Sequence, residues 1–127
     1  MLDASVAFWA LGGETRFASI GEELLAPPLM WSETASALRA ATWRGQLREE
    51  DGRALLARLA SAPVSRRAPA RLLRTAWTIA EDLGWAKTYD AEYLALARLV
   101  GGRVVTLDAR MHRGARRTGL VTALRTG

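Results

Sequence analysis

The chain contains no cysteine and one histidine, His112, in 127 residues. The first absence removes disulfide frameworks, thiolate metal sites and cysteine nucleophiles together, and it suits a reducing compartment, so a cytoplasmic protein is expected. The second leaves almost no material for a histidine-activated nucleophile or a zinc cluster. Long apolar runs are missing too. The opening MLDASVAFWALGG is far too short to span a bilayer and carries an acid where a secretory signal has positive charge, so neither membrane insertion nor export is expected. Repeats, low-complexity runs and linkers are also lacking. Half the residues are hydrophobic, enough for a core without staples, and residues 1–127 read as one domain.

Lysine is the remaining scarcity: Lys87 is the only one among eighteen basic residues. The formal charge of +5 is therefore carried by arginine, whose planar guanidinium suits phosphate, although GC-rich coding produces the same bias. Setting four acids aside as cation ligands would leave the rest of the surface four units more positive. An acidic centre in a basic shell suits a polyanion cut at a cation-loaded site.

Strand character is confined to residues 1–2, 24–26, 85–87 and 103–107, with a fifth segment at 120–124. Helical periodicity marks 29–44, 49–60, 71–83 and 91–100, while the proline- and arginine-rich stretch 63–71 reads as a loop. Short strands separated by helices predict an α/β fold with a parallel sheet between two helical layers, a three-layer α/β/α domain. Ligands in such folds gather beyond the carboxyl ends of the strands.

Asp3, Asp90 and Asp108 each follow an apolar segment and open a helical one, so this topology brings them to one edge. Aspartate is also a favoured helix N-cap, which accounts for any one of them but not for their falling together. Glu33 lies in the first turns of the helix after Pro27 and Pro28, where it leans over the same edge among small neighbours. Four carboxylates in one place repel, and a hard divalent cation, Mg²⁺ or Mn²⁺, relieves that repulsion. The chemistry implied is phosphodiester hydrolysis.

The segments DASV, APPLMWSETASALRA, RGQLREEDGRALLARLASAPV, TYDAEYLALA and VVTLDARM together resemble PIN-domain proteins, and more closely the VapC-like toxins of bacterial toxin-antitoxin pairs. TYDAEYLALA followed closely by VVTLDARM carries most of that resemblance. It implies an endoribonuclease whose acidic cluster maps to Asp3, Glu33, Asp90 and Asp108. Asp3 and Asp90 would be the first ligands of the metal, and Glu33 and Asp108 would complete its shell or place the water. Ser5 and Thr106 correspond to hydroxyls that hold the carboxylates, and a helix cap and a strand-favouring residue are equally good accounts of them. The resemblance further implies a homodimer and a VapB-like antitoxin whose extended tail crosses the acidic groove. Two other functions stay open: a non-catalytic partner-binding subunit of a DNA-binding regulatory complex, and the same hydrolysis directed at DNA. Only Met1 and Leu2 precede Asp3, fewer residues than such proteins usually have, so either the true start lies upstream of Met1 or the first strand leans on its neighbours.

Arg110, Arg113, Arg116 and Arg117 follow Asp108 and are placed either to hold an RNA backbone or simply to face solvent. Among five tryptophans, Trp9, Trp43 and Trp77 are expected in the core or at a subunit interface, and Trp31, two residues before Glu33, is the candidate for RNA contact.

Overall fold

In the computed structural model, which describes residues 1–126, strands are very short and helices carry most of the chain. Helix α1 spans Ala4–Leu11 and α2 Arg16–Ile20, followed by strand β1 at Leu25–Ala26. Helices α3 (Leu29–Trp43) and α4 (Glu49–Ala60) precede β2 at Ser65–Arg66. Then come α5 (Leu72–Leu83), α6 (Tyr89–Val100), β3 (Val104–Thr106), α7 (Ala109–Ala115) and β4 (Val121–Ala123). No helix among the described residues is long and apolar enough to cross a membrane.

Local chemistry sets the boundaries. The Asp3 carboxylate accepts the Val6 N–H at 3.2 Å, and that of Asp108 accepts those of Arg110 and Met111 at 2.9 and 3.3 Å, so each caps the helix it opens. Gly84 stops α5 in the left-handed conformation, with φ of 71°. Pro27 and Pro28 introduce α3, where a missing N–H is harmless.

The sheet is held together by one residue. β1 pairs with β2 and β3 with β4, both in parallel, and between these pairs lies Leu2. Its N–H donates to the Leu25 carbonyl at 3.2 Å, and it bridges Val105 in parallel. The Val105 N–H donates to the Met1 carbonyl at 2.8 Å, while the Asp3 N–H donates to the Val105 carbonyl at 3.4 Å. The resulting order is β2, β1, Leu2, β3, β4. The first strand is supported by its neighbours, as its length requires. Because all pairings are parallel, the chain leaves Leu2 and β3 at the same edge, delivering Asp3 and Asp108 together.

Helices α1 and α6 both pack on β3, α1 with α2, α3 and α4 around it and α6 with α5, which gives the expected α/β/α layering. Leu2, Val6, Leu11, Met30, Ile79, Leu94, Leu96 and Val104 lie at the centre with essentially no exposed surface. Each such leucine contributes about 1.5–3 kcal/mol through transfer from water. Helix α6 is buried on nearly every side, from Ala91 and Tyr93 through Ala97.

Two expectations about strands are corrected. Residues 85–87 are not extended: the Trp85 N–H donates to the Ala80 carbonyl at 2.8 Å and that of Gly84 to Glu81 at 3.1 Å, so these backbone groups close the end of α5. Conversely, the stretch read as a loop contains β2, whose Ser65 and Arg67 N–H groups donate to the Leu24 and Ala26 carbonyls at 2.8 and 3.0 Å. Both β2 side chains are exposed, so the edge strand carries no apolar alternation. Of the two places expected for Trp43 and Trp77, core or subunit interface, the core is corrected: they are 79% and 63% exposed, because the buried stripes of their helices run through Leu38 and Ala41, and through Ala76 and Ile79.

Candidate active site

Asp3 enters the site buried, with a donor on each of its oxygens. The Ser5 hydroxyl donates to its Oδ1 at 2.5 Å, and the Thr106 hydroxyl to its Oδ2 at 2.5 Å. Each hydroxyl also accepts: Ser5 from the Leu107 N–H and Thr106 from the Asp108 N–H, both at 3.0 Å. Ser5 and Thr106 therefore tie the start of α1 to the turn between β3 and α7. Both hold Asp3, and Thr106 also positions the backbone of Asp108.

Glu33 is the fifth residue of α3, and its Oε1 accepts the Tyr93 hydroxyl at 2.5 Å. Asp90 arrives by a different route from its neighbours. It is the second residue of α6, behind an N-cap at Thr88, and so is not itself a cap. Among the described residues, no hydrogen-bond donor reaches its carboxylate.

These side chains line one cleft of about 250 Å³, formed by Asp3, Ala4, Ser5, Glu33, Asp90, Tyr93 and Asp108. Burial raises the pKa of Asp3, against the lowering effect of its Ser5, Thr106 and Val6 hydrogen bonds, and the Asp108 charge raises it further. Burial also raises Glu33, with the Tyr93 hydroxyl opposing and the Asp90 and Asp3 charges adding to the rise. For Asp90, burial leads and the charges of Asp108 and Asp3 follow, partly offset by Arg110. Tyr93 is pushed upward by burial and by its bond to Glu33, so it remains a donor.

Among the described residues the ion pairs are those of Arg48 with Glu50 and Asp51, at 3.1 and 3.0 Å on the exposed surface of α4. The four converging carboxylates thus form no salt bridge among the described residues, and Arg110 offsets only part of the rise at Asp90. Their donor set is all oxygen, which suits a hard divalent cation and not a soft one. Among the described residues no three acidic or histidine side chains converge closely enough to hold an ion directly.

A second hollow of about 550 Å³ continues from the cleft, sharing Glu33, Asp90 and Asp108 and adding Trp85, Lys87, Tyr89, Arg110 and Met111. Arg110 is therefore beside the carboxylates. Arg113 lies on the other side of Asp108, in a shallow depression with His112 and Leu107. Trp31 lines a separate depression with Leu56 and Leu59, where the Arg66 guanidinium stacks 4.8 Å from its ring centre. Sequence reading missed Tyr93, which holds Glu33. Tyr93 had a signal, since it stands three residues after Asp90 and so shares its helical face.

Residues 1–117 match the PIN domain family. Over 113 residues, 87% of this chain and 87% of the relative, the sequence is 36% identical to VapC ribonuclease Mb0985 of Mycobacterium bovis. It matches Ribonuclease VapC9 of Mycobacterium tuberculosis to the same extent, 36% over 113 residues. The crystal structure of PAE2754 from Pyrobaculum aerophilum is similar with a TM-score of 0.72 at 22% identity, covering 94% of this chain and 80% of that one, a likeness of fold. With the acidic cleft at the strand edge, these matches establish that the chain is a VapC-like member of the PIN-domain family.

Proposed function

We propose that this protein is a divalent-metal-dependent endoribonuclease and the toxin of a toxin-antitoxin pair. The observation that carries the reading is the convergence of Asp3, Glu33, Asp90 and Asp108 on one cleft, with no salt bridge to any of them among the described residues. The names of its relatives, all ribonucleases, select RNA as the substrate. Mg²⁺, with Mn²⁺ as substitute, would be held by Asp3 and Asp90 directly or through water, with Glu33 and Asp108 completing the shell or placing the attacking water. When bound, such an ion polarises a phosphodiester and makes a coordinated water a stronger nucleophile.

The chain's own contribution is positioning. Ser5 and Thr106 fix both oxygens of Asp3, and Tyr93 fixes one oxygen of Glu33 while leaving the other free to accept a proton or a water. Asp90, held by no internal donor, is free to turn toward a cation or a hydrated phosphate. Residues 1–127 act in this reading as one nuclease domain, cytoplasmic and homodimeric. A VapB-like antitoxin silences it by laying a charged tail across the cleft.

Purified, antitoxin-free protein incubated with total RNA and Mg²⁺ or Mn²⁺ should cut it, with no cutting in EDTA and a loss of about a hundredfold or more in Asp90→Asn. Cleavage that survives EDTA, or that Asp90→Asn leaves intact, contradicts the site. A protein that cuts no RNA under any condition contradicts the enzyme.

A further inference from the structure

We infer that Trp85 is a positioning residue for the carboxylate cleft: its indole, wedged against Gly114, sets the tilt of α7 and with it the separation of Asp108 from Asp90. The inference rests on the nuclease reading above and concerns how that same site is held in shape.

Asp90 and Asp108 stand at the starts of two helices that differ in how firmly they are held. Helix α6 is fixed by the core: Ala91 and the run from Tyr93 to Ala97 are buried, and it packs on both α5 and β3. Helix α7 is seven residues long and buries Met111 and Ala115 alone. Its first end is pinned, because the Asp108 carboxylate caps it and the Asp108 N–H donates to the Thr106 hydroxyl at 3.0 Å. Beyond that pin the helix can pivot unless something stands behind it.

Trp85 stands there. The turn that carries it joins α5 to α6 and is itself anchored: Gly84 is left-handed, with φ of 71°, and the Trp85 N–H donates to the Ala80 carbonyl at 2.8 Å. The half-buried ring lies against Gly114, the sixth residue of α7. A Cβ at that position would be 3.2 Å from the indole, closer than the separation of about 3.5–4.0 Å that carbon atoms prefer. The Arg117 guanidinium donates to the Asp82 carbonyl and ties the turn after α7 to the same end of α5.

Gly114 shows that the contact is selected by fit. Glycine inside a helix is less stable than alanine, and Gly114 lacks the positive φ that calls for glycine at Gly45, Gly84, Gly101 and Gly119. The close approach of the indole accounts for the missing side chain instead. The same ring lines the hollow that holds Asp90, Asp108, Arg110 and Met111, so it borders both walls of the site, α6 through its own turn and α7 through Gly114. Groups that hold a metal or a reacting phosphate need to be placed within about 0.5 Å, so a small displacement of this wedge is felt at the acids.

The test is isothermal titration calorimetry of Mn²⁺ into the purified chain, with Tm measured alongside. Gly114→Ala adds a helix-favouring residue while pushing on the indole. Its Tm should stay close to that of wild type, yet its Mn²⁺ affinity should fall about tenfold, the usual cost of disturbing the groups behind metal ligands. Trp85→Ala, which removes the wedge, should weaken Mn²⁺ to a similar degree. Adding Trp85→Phe to Gly114→Ala makes room for the new methyl group and should recover most of the loss. Wild-type Mn²⁺ affinity in Gly114→Ala, a double variant that binds no better than Gly114→Ala, or a wild-type chain that binds no Mn²⁺ overturns the proposal. A lowered Tm with Mn²⁺ affinity intact overturns it as well, since the contact would then serve folding alone. RNA cleavage measured in parallel separates the two readings. If Gly114→Ala binds Mn²⁺ like wild type while Asp90→Asn no longer cuts, the wedge falls and the nuclease stands; if the variants follow the expected order of affinities and no protein cuts RNA, the nuclease falls alone.

Discussion

The Tyr93 hydroxyl donates to Glu33 Oε1 at 2.5 Å, joining α6 to α3 across the acidic cleft. The bond spans 60 residues of sequence and holds an acid that would otherwise be free to swing about its helix. Tyr93 is itself immobilised, with its ring essentially buried in the core.

Tyr93→Phe removes that one oxygen and keeps the packing. Glu33 then loses the hydrogen bond that lowers its pKa, while burial and the charges of Asp90 and Asp3 still raise it. The acidic limb of the pH–rate profile should move to higher pH, and kcat should fall about tenfold with KM little changed. A profile superimposable on wild type contradicts a positioning role.

Thr106→Val leaves shape intact and takes a buried donor from the Asp3 carboxylate and an acceptor from the Asp108 N–H. The cost should be about 1–3 kcal/mol, a drop of roughly 5 °C or more in Tm by calorimetry. Ser5→Ala should act in the same direction, since its hydroxyl links Asp3 to the Leu107 N–H. Equal melting of both variants and wild type would show that the network contributes nothing.

Asp90 and Asp108 should separate under substitution. Asp108→Ala removes the cap of α7 and destabilises by about 1 kcal/mol, while Asp108→Asn keeps a capping oxygen and most of the stability. Asp90→Asn removes no hydrogen bond and relieves repulsion with Asp3 and Asp108, so the metal-free variant should melt no lower than wild type despite losing activity. A large loss of Tm in Asp90→Asn would mean that the residue is structural.

The pH dependence of stability has a definite sign. Burial raises Asp3, Glu33 and Asp90 above their ordinary values of 3.8 for aspartate and 4.5 for glutamate. Each binds its proton more tightly folded than unfolded, so its contribution to stability is present at low pH and is lost as pH rises through the folded value. From these groups, the Tm of metal-free protein should fall as pH rises above those ordinary values, and Mg²⁺ should restore it once the acids are ionised. Insensitivity to both pH and Mg²⁺ contradicts an acidic cluster without salt bridges.

Asp3 and Asp108 were legible because each stands at the junction of an apolar segment and a helix, where cap chemistry and strand topology agree. Asp90 reached the right place through the wrong local structure: the strand expected before it is a helix terminus, and α6 starts earlier than its apolar stripe suggests. β2 was illegible, since two exposed residues bonded only through their backbone leave no pattern in side chains.

A parallel pair of strands two or three residues long has little stability of its own. Here two such pairs are made one sheet by Leu2, a single buried side chain whose backbone neighbours bond to both sides. The domain consequently has no natural seam along which half of it can open while the other half stays folded. The acidic edge inherits that cooperativity: Asp3 follows directly on Leu2 and Asp108 closely on β3, so these two are brought together only when the sheet is, and hydrogen exchange at the Asp3 and Val105 amides should report global unfolding and nothing smaller.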